Sequence, residues 1–207
     1  VQTILEIHIY WLRHQTSSKA KGTEADAGAI AVIDVKSGAL LAAATAPTYD
    51  LNDYINNYSA VANGENAPLT NRVTSAYYRP GSTFKTVTAT AALNEGIITP
   101  TDTVTCKKYY TYWEGWSPEC TGYHGRLNVV EALRESCNIF FYKLSEELTI
   151  DRISEYATKF GLGQSTGLET GDAAGHLSNQ ETFAELGADR TVGQVLQSAI
   201  GQGEWAV

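Results

Sequence analysis

Two serine–lysine pairs at a spacing of three are the first candidates for chemistry in this sequence: Ser82 with Lys85, and Ser18 with Lys21. On a helix, residues three apart share a face, so a hydroxyl and an amine placed this way can touch. A neutral amine can then take the hydroxyl proton and make the serine a nucleophile for acyl transfer. That task requires a lysine whose pKa has been brought down from about 10.4 by burial or nearby cations. The surroundings separate the two pairs. Ser82 follows Pro80 and Gly81 and opens a stretch to Glu95 that sets Phe84, Val87 and Ala91 on one helical face, with Gly96 to end it. A helix N-terminus there also favours a developing alkoxide and aims backbone N–H groups at a tetrahedral oxyanion. Ser18 and Lys21 lie in the polar stretch Thr16 to Asp26 with no apolar pocket around them, so that match reads as chance.

A second decoy is Gly163-Gln164-Ser165-Thr166-Gly167, which matches the Gly-x-Ser-x-Gly elbow of hydrolases, with Asp172 and His176 following in hydrolase order. An elbow needs a strand before the serine and a helix after it. Here a helical pattern ends at Phe160 and none follows at once, so the elbow reading fails on context. Ser136-Cys137-Asn138 is the only Ser-x-Asn in the sequence and sits at a break between two helical patterns. Alone it is a polar break; together with Ser82 it is a second set of polar groups that a folded chain can bring across the catalytic helix.

Cys106, Cys120 and Cys137 make an odd count. Three readings stay open for them. The first two can close a disulfide around a loop of about 15 residues, which a chain-entropy model values at roughly 3 kcal/mol. With His124 the three are the right ligand types for structural zinc, although no standard finger spacing is matched. The third reading is unlinked thiols.

The elements that must position these groups are legible from pattern. Ala29 to Val35 and Ala39 to Thr45 flank Lys36-Ser37-Gly38 as a hairpin whose low polarity predicts cover on both faces. Thr48 to Arg72 reads as irregular. Asn128 with Glu131 makes a capping box, Ile139 to Leu148 and Asp151 to Phe160 read as helices, and Thr191 with Gln194 caps a last helix. Strands followed by helices without regular alternation indicate an α+β domain. Residues 1–28 read as an N-terminal apolar segment and polar linker, and 29–207 as the domain.

With 43% hydrophobic and 18% charged residues, the 207-residue chain can bury one sizeable core. A net charge of −8 and the lack of clustered Lys and Arg argue against a phosphate-backbone binder, so no nucleic-acid partner is expected. No run approaches the roughly 20 apolar residues of a spanning helix. The absence of Met marks the sequence, as an expectation, as an excised piece of something longer.

Taken together, Asn71-Arg72, Arg79-Pro80-Gly81-Ser82-Thr83-Phe84-Lys85, His124-Gly125, Ser136-Cys137-Asn138-Ile139-Phe140-Phe141-Tyr142, Gly161-Leu162-Gly163 with Thr166-Gly167, and Ala199-Ile200-Gly201-Gln202-Gly203 resemble the class B penicillin-binding proteins. The details are most similar to the elongation type. The resemblance covers about Ala29 to the C-terminus. It implies an antiparallel sheet flanked by helices, the fold shared by serine β-lactamases and transpeptidases. It also implies a peptidoglycan D,D-transpeptidase in which Ser82 is the nucleophile, Lys85 its base, Ser136 a proton relay and Asn138 a substrate-binding residue. Stem peptides ending in D-alanyl-D-alanine would be the substrate, β-lactams covalent inhibitors, and no cofactor is implied. The cell-wall elongation machinery would be a partner through a missing N-terminal region, whose helix would anchor the protein on the extracytoplasmic face of the membrane.

One departure accompanies the match: the family's third motif, Lys-Thr-Gly or Lys-Ser-Gly, does not occur after Ser136-Cys137-Asn138, where the family carries it, and the one matching triplet, Lys36-Ser37-Gly38, is the turn of the hairpin ahead of Ser82. The expectation is a chain that stops short of that strand and is impaired by its lack. A β-lactamase or a β-lactam sensor domain would use the same Ser82 and Lys85. The former, in class A, needs a Glu-x-x-Leu-Asn context that is missing, and close relatives of the latter lack the second-motif Asn. Tyr109, Tyr110, Tyr112, Trp113 and Trp116 form an aromatic cluster, read as packing on itself rather than stacking on glycan.

Overall fold

The computed structural model describes residues 26–111, 117–187 and 191–207. These form two compact units, one ending at Ala76 and including Glu169–Ala173, the other comprising Tyr77–Leu168 and Ala174–Val207. Ser18 and Lys21 lie outside the described residues, as do Tyr112, Trp113 and Trp116 of the aromatic cluster.

In the first unit, β1 (Gly28–Ile33) pairs antiparallel with β2 (Leu40–Ala46), Gly28 opposite Ala46 and Ile33 opposite Leu40, with an irregularity after Val32. Alternation fixes which side chains face which way, and Ala44 and Ala46 are buried with Ile30 against them. The turn end is open: Ile33 is 57% exposed and Leu41 66%. This corrects the expectation of cover on both faces, because among the described residues this sheet has only two strands. Beyond it come two short helices, α1 (Leu51–Asn56), capped by the Asp50 carboxylate accepting from the Asn52 N–H at 2.7 Å, and α2 (Tyr58–Ala62). They replace the irregular stretch expected there. Every residue of α1 is exposed, so no apolar stripe announced it.

The second unit is mainly helical: a 3₁₀ turn (Gly81–Phe84) that runs into α3 (Lys85–Asn94), then α4 (Val129–Arg134), α5 (Asn138–Ser145), α6 (Ile150–Lys159), α7 (Gln180–Glu185) and α8 (Val192–Ala199). A small antiparallel pair, β3 (Val104–Cys106) and β4 (Gly125–Leu127), accompanies them. Both capping boxes form with their reciprocal bonds, Asn128 with Glu131 and Thr191 with Gln194. The chain is thus α+β, with helices and small antiparallel sheets.

α5 is the centre of the second unit. Ile139, Phe140, Phe141, Tyr142 and Leu144 are all buried, which makes it apolar nearly all round. Removing such side chains from water is worth roughly 1.5–3 kcal/mol each, so this helix is a stiff platform for whatever its ends carry. Tyr110 packs its ring 5.5 Å from that of Tyr142 and donates its hydroxyl to Glu146, whereas Tyr109 is half exposed. No helix of the described residues is long and apolar enough to cross a membrane.

Candidate active site

The four residues singled out by spacing meet in the second unit. Ser82 lies on the 3₁₀ turn and is exposed; Lys85 is the first residue of α3 and only 1% exposed. The Lys85 Nζ lies 3.2 Å from Ser82 Oγ. From the other side it reaches Asn138 Oδ1 at 2.6 Å, the Ser136 carbonyl at 2.8 Å and Ser136 Oγ at 3.0 Å. Ser136 and Asn138 come to the amine from the break between α4 and α5. Ser136 adopts φ +50°, the left-handed region that costs a non-glycine residue about 1–3 kcal/mol. That conformation ends α4, with Cys137 N–H donating back to the Ala132 carbonyl at 2.9 Å, and it leaves the Ser136 carbonyl bonded to Lys85.

This arrangement determines what the amine can do. Asn138 Oδ1 and the Ser136 carbonyl only accept hydrogen bonds. An ammonium has three hydrogens, enough for both and one hydroxyl. A neutral amine gives its two hydrogens to the pure acceptors, and its lone pair is left for a hydroxyl proton. Burial pushes Lys85 from 10.5 down to about 8, opposed by the thiols of Cys120 and Cys137. The Phe141 ring, with its centroid 5.7 Å from Nζ, forms part of the apolar wall responsible. Phe141 was visible in the sequence only as an apolar residue three past Asn138.

The elbow decoy has no such setting. Ser165 sits in irregular chain after α6, with no strand before it and no helix directly after, and its Oγ accepts from the Gly167 N–H at 3.2 Å.

Behind the second motif, Cys106, Cys120, His124 and Cys137 bring their ligand atoms within 4.8 Å of one another. All three cysteines are buried free thiols, so the Cys106–Cys120 disulfide is not formed. Cys120 Sγ lies 3.6 Å from His124 Nδ1 and 4.0 Å from Cys137 Sγ. A tetrahedron with metal–sulfur bonds of about 2.3 Å has edges near 3.8 Å, so the donor set fits a structural zinc ion. Cys120 also accepts from the Asn138 N–H at 3.2 Å. Burial alone would raise its pKa, but backbone N–H groups of Gly122, Ile139 and Asn138 outweigh that and pull it down; burial and the neighbouring Cys120 thiolate push Cys137 up.

Comparison with known proteins follows this geometry. Residues 28–207 match the family model described as the penicillin binding protein transpeptidase domain. Among curated relatives, peptidoglycan D,D-transpeptidase MrdA of Escherichia coli K12 is 35% identical, the match covering 86% of this chain and 30% of the relative. The chain therefore spans about a third of that relative's length. Among solved structures, Pseudomonas aeruginosa PBP2 in complex with WCK 5153 superimposes with a TM-score of 0.79 at 29% identity, over 88% of this chain and 44% of that one. Helicobacter pylori PBP2, solved in complex with MreC, gives a TM-score of 0.80 at 30% identity, over 87% and 36%.

Proposed function

The chain belongs to the penicillin-binding protein transpeptidase family, and from that premise we propose that the protein carrying it is a peptidoglycan D,D-transpeptidase of the elongation type. The observation that supports this most is the Lys85 amine, whose two pure acceptors leave its lone pair to a serine hydroxyl. Ser82 Oγ attacks the carbonyl between two terminal D-alanines as its proton passes to Lys85. The C–N bond then breaks as Ser136 Oγ hands its proton to the leaving amine and takes the Lys85 proton in its place across 3.0 Å, so that D-alanine departs from an acyl-serine ester and Lys85 is neutral again. Asn138 holds the peptide beside it. An amine of a second stem peptide attacks the ester, loses its proton to Lys85, and the proton returns to Ser82. β-Lactams enter by the same first step. The cell-wall elongation machinery is the expected partner, on the extracytoplasmic side of a membrane anchor outside this sequence.

The test is to give the full-length protein a pentapeptide-bearing donor and an amine acceptor. One D-alanine released per cross-link formed, both abolished by prior penicillin, is the expected result. D-Alanine released with no transfer to the acceptor would make it a hydrolase instead.

The thiol–imidazole tetrad would hold zinc as a closed structural site, joining β3 and the segment before β4 to the N-terminus of α5. It supplies no step of the reaction. The purified protein is expected to retain about one equivalent of zinc, with chelation lowering its melting temperature. Cys106→Ala should lose the metal; full thermal stability after chelation would refute the structural role.

A further inference from the structure

The turn that ends α8, Ile200–Gly203, takes no part in the steps above, yet it is pressed against the nucleophile's turn. Four contacts join residues 199–207 to residues 78–88. The Thr88 hydroxyl donates to the buried Ala199 carbonyl at 2.8 Å, and the Gly81 N–H donates to the Gly201 carbonyl at 2.8 Å. Trp205 packs its ring 4.3 Å from that of Phe84 and donates its indole N–H to the Ser198 carbonyl at 2.9 Å. Tyr78 and Val207 exchange two backbone bonds, at 2.8 and 2.9 Å. Ser82 is bracketed by these contacts and makes none of them.

The closest approach is at Gly201, whose φ is +73°. A Cβ there would stand 2.1 Å from the Gly81 carbonyl oxygen, 2.9 Å from its carbon and 2.6 Å from Phe84 Cβ. Neither backbone carbonyl nor Cβ can swing aside as a flexible side-chain tip would, so the two segments would have to part. Ser82 directly follows Gly81, and its Oγ is already 3.2 Å from Lys85 Nζ, at the long end of hydrogen bonding. A small displacement of the turn would break that contact.

We propose that Gly201 is a positioning residue for the nucleophile: lacking a Cβ, it lets the end of α8 close on Gly81 and hold Ser82 Oγ within reach of the Lys85 amine. The proposal rests on the acyl-transfer reading of Ser82, and the experiment separates the two. Stopped-flow acylation of the full-length protein by a fluorescent penicillin gives the first-order acylation constant and the apparent binding constant separately. Absence of acylation in the wild type would sink the acyl-transfer reading itself.

Given wild-type acylation, Gly201→Ala is expected to lower the first-order constant about 100-fold, the usual loss for a misplacement near 1 Å, with the binding constant little changed. Gly203→Ala is the comparison. It lies in the same turn at φ +83°, but its Cβ would meet the Ser198 hydroxyl at 3.1 Å and not the Ser82 turn. It should lower the melting temperature and leave acylation within about threefold of wild type. Equal acylation by Gly201→Ala and wild type, or equal losses in the two glycine variants, would overturn the proposal. If Gly201→Ala does not fold, Thr88→Val decides. It keeps the shape of the residue but frees the Ala199 anchor, and about a tenfold loss in the first-order constant is expected; an unchanged constant would refute the positioning role.

Discussion

Penicillin is expected to form a covalent adduct with the full-length protein at Ser82, and the Ser82→Ala variant is expected to form none. Two hydroxyls lie within 3.2 Å of the Lys85 amine, those of Ser82 and Ser136. Exposure distinguishes them: Ser82 faces solvent on its 3₁₀ turn, whereas Ser136 is half buried between α4 and α5. Only Ser82 also stands at the start of a continuous helical stretch, where N–H groups and the helix dipole favour an oxyanion. Ser165→Ala should leave the adduct intact, because that serine sits in irregular chain after α6, away from Lys85 and from any helix N-terminus that would favour an oxyanion. Proteolysis and mass spectrometry of the labelled protein provide the check. An adduct mapped to Ser136 or Ser165 would overturn the assignment.

Lys85→Arg should cost the acylation rate about 10²- to 10⁴-fold, the range for disabling a general base, because arginine keeps the charge but cannot give up its proton. The wild-type pH profile should show the same group. With Lys85 at about 8, the neutral fraction is about a tenth at pH 7 and about nine tenths at pH 9. The rate should therefore rise roughly tenfold across that window and level off above it. Stability carries the same sign. A lysine pKa lower in the folded state than the unfolded 10.5 means fewer bound protons when folded, so its contribution grows from about pH 8 upward and is lost as pH falls through that value. Near-wild-type acylation by Lys85→Arg, or a rate that falls between pH 7 and 9, would refute the base.

How far the fold could be read in advance depended on how local its causes were. Asn128 with Glu131 and Thr191 with Gln194 are self-contained signals, since the two bonds of each box form within four residues. The Ser82–Lys85 pair was legible for the same reason. α1 was not, because none of its side chains is buried and no period could appear. β3 and β4, three residues each, pair only through contacts distant in sequence, which no local pattern records. Ser136 illustrates the limit within the site. Its residue type was a visible clue, but its left-handed backbone, where glycine would be usual, is stabilised by partners on Lys85 and Ala132 that the order of residues does not reveal. Gly201 was visible only within Ala199-Ile200-Gly201-Gln202-Gly203, one of the runs that carry the family resemblance, and its role became apparent once Gly81 lay against it.

The middle residue of Ser136-Cys137-Asn138 carries a further consequence, for the evolution of drug escape. Here Cys137 is fully buried and shares the thiol–imidazole cluster with Cys106, Cys120 and His124. Exchange at that position would disturb two systems at once, the cluster on one side and the Lys85 contacts on the other. Under the proposed acyl-transfer reading, escape from a β-lactam by exchange at the centre of the motif would therefore carry a cost in both systems.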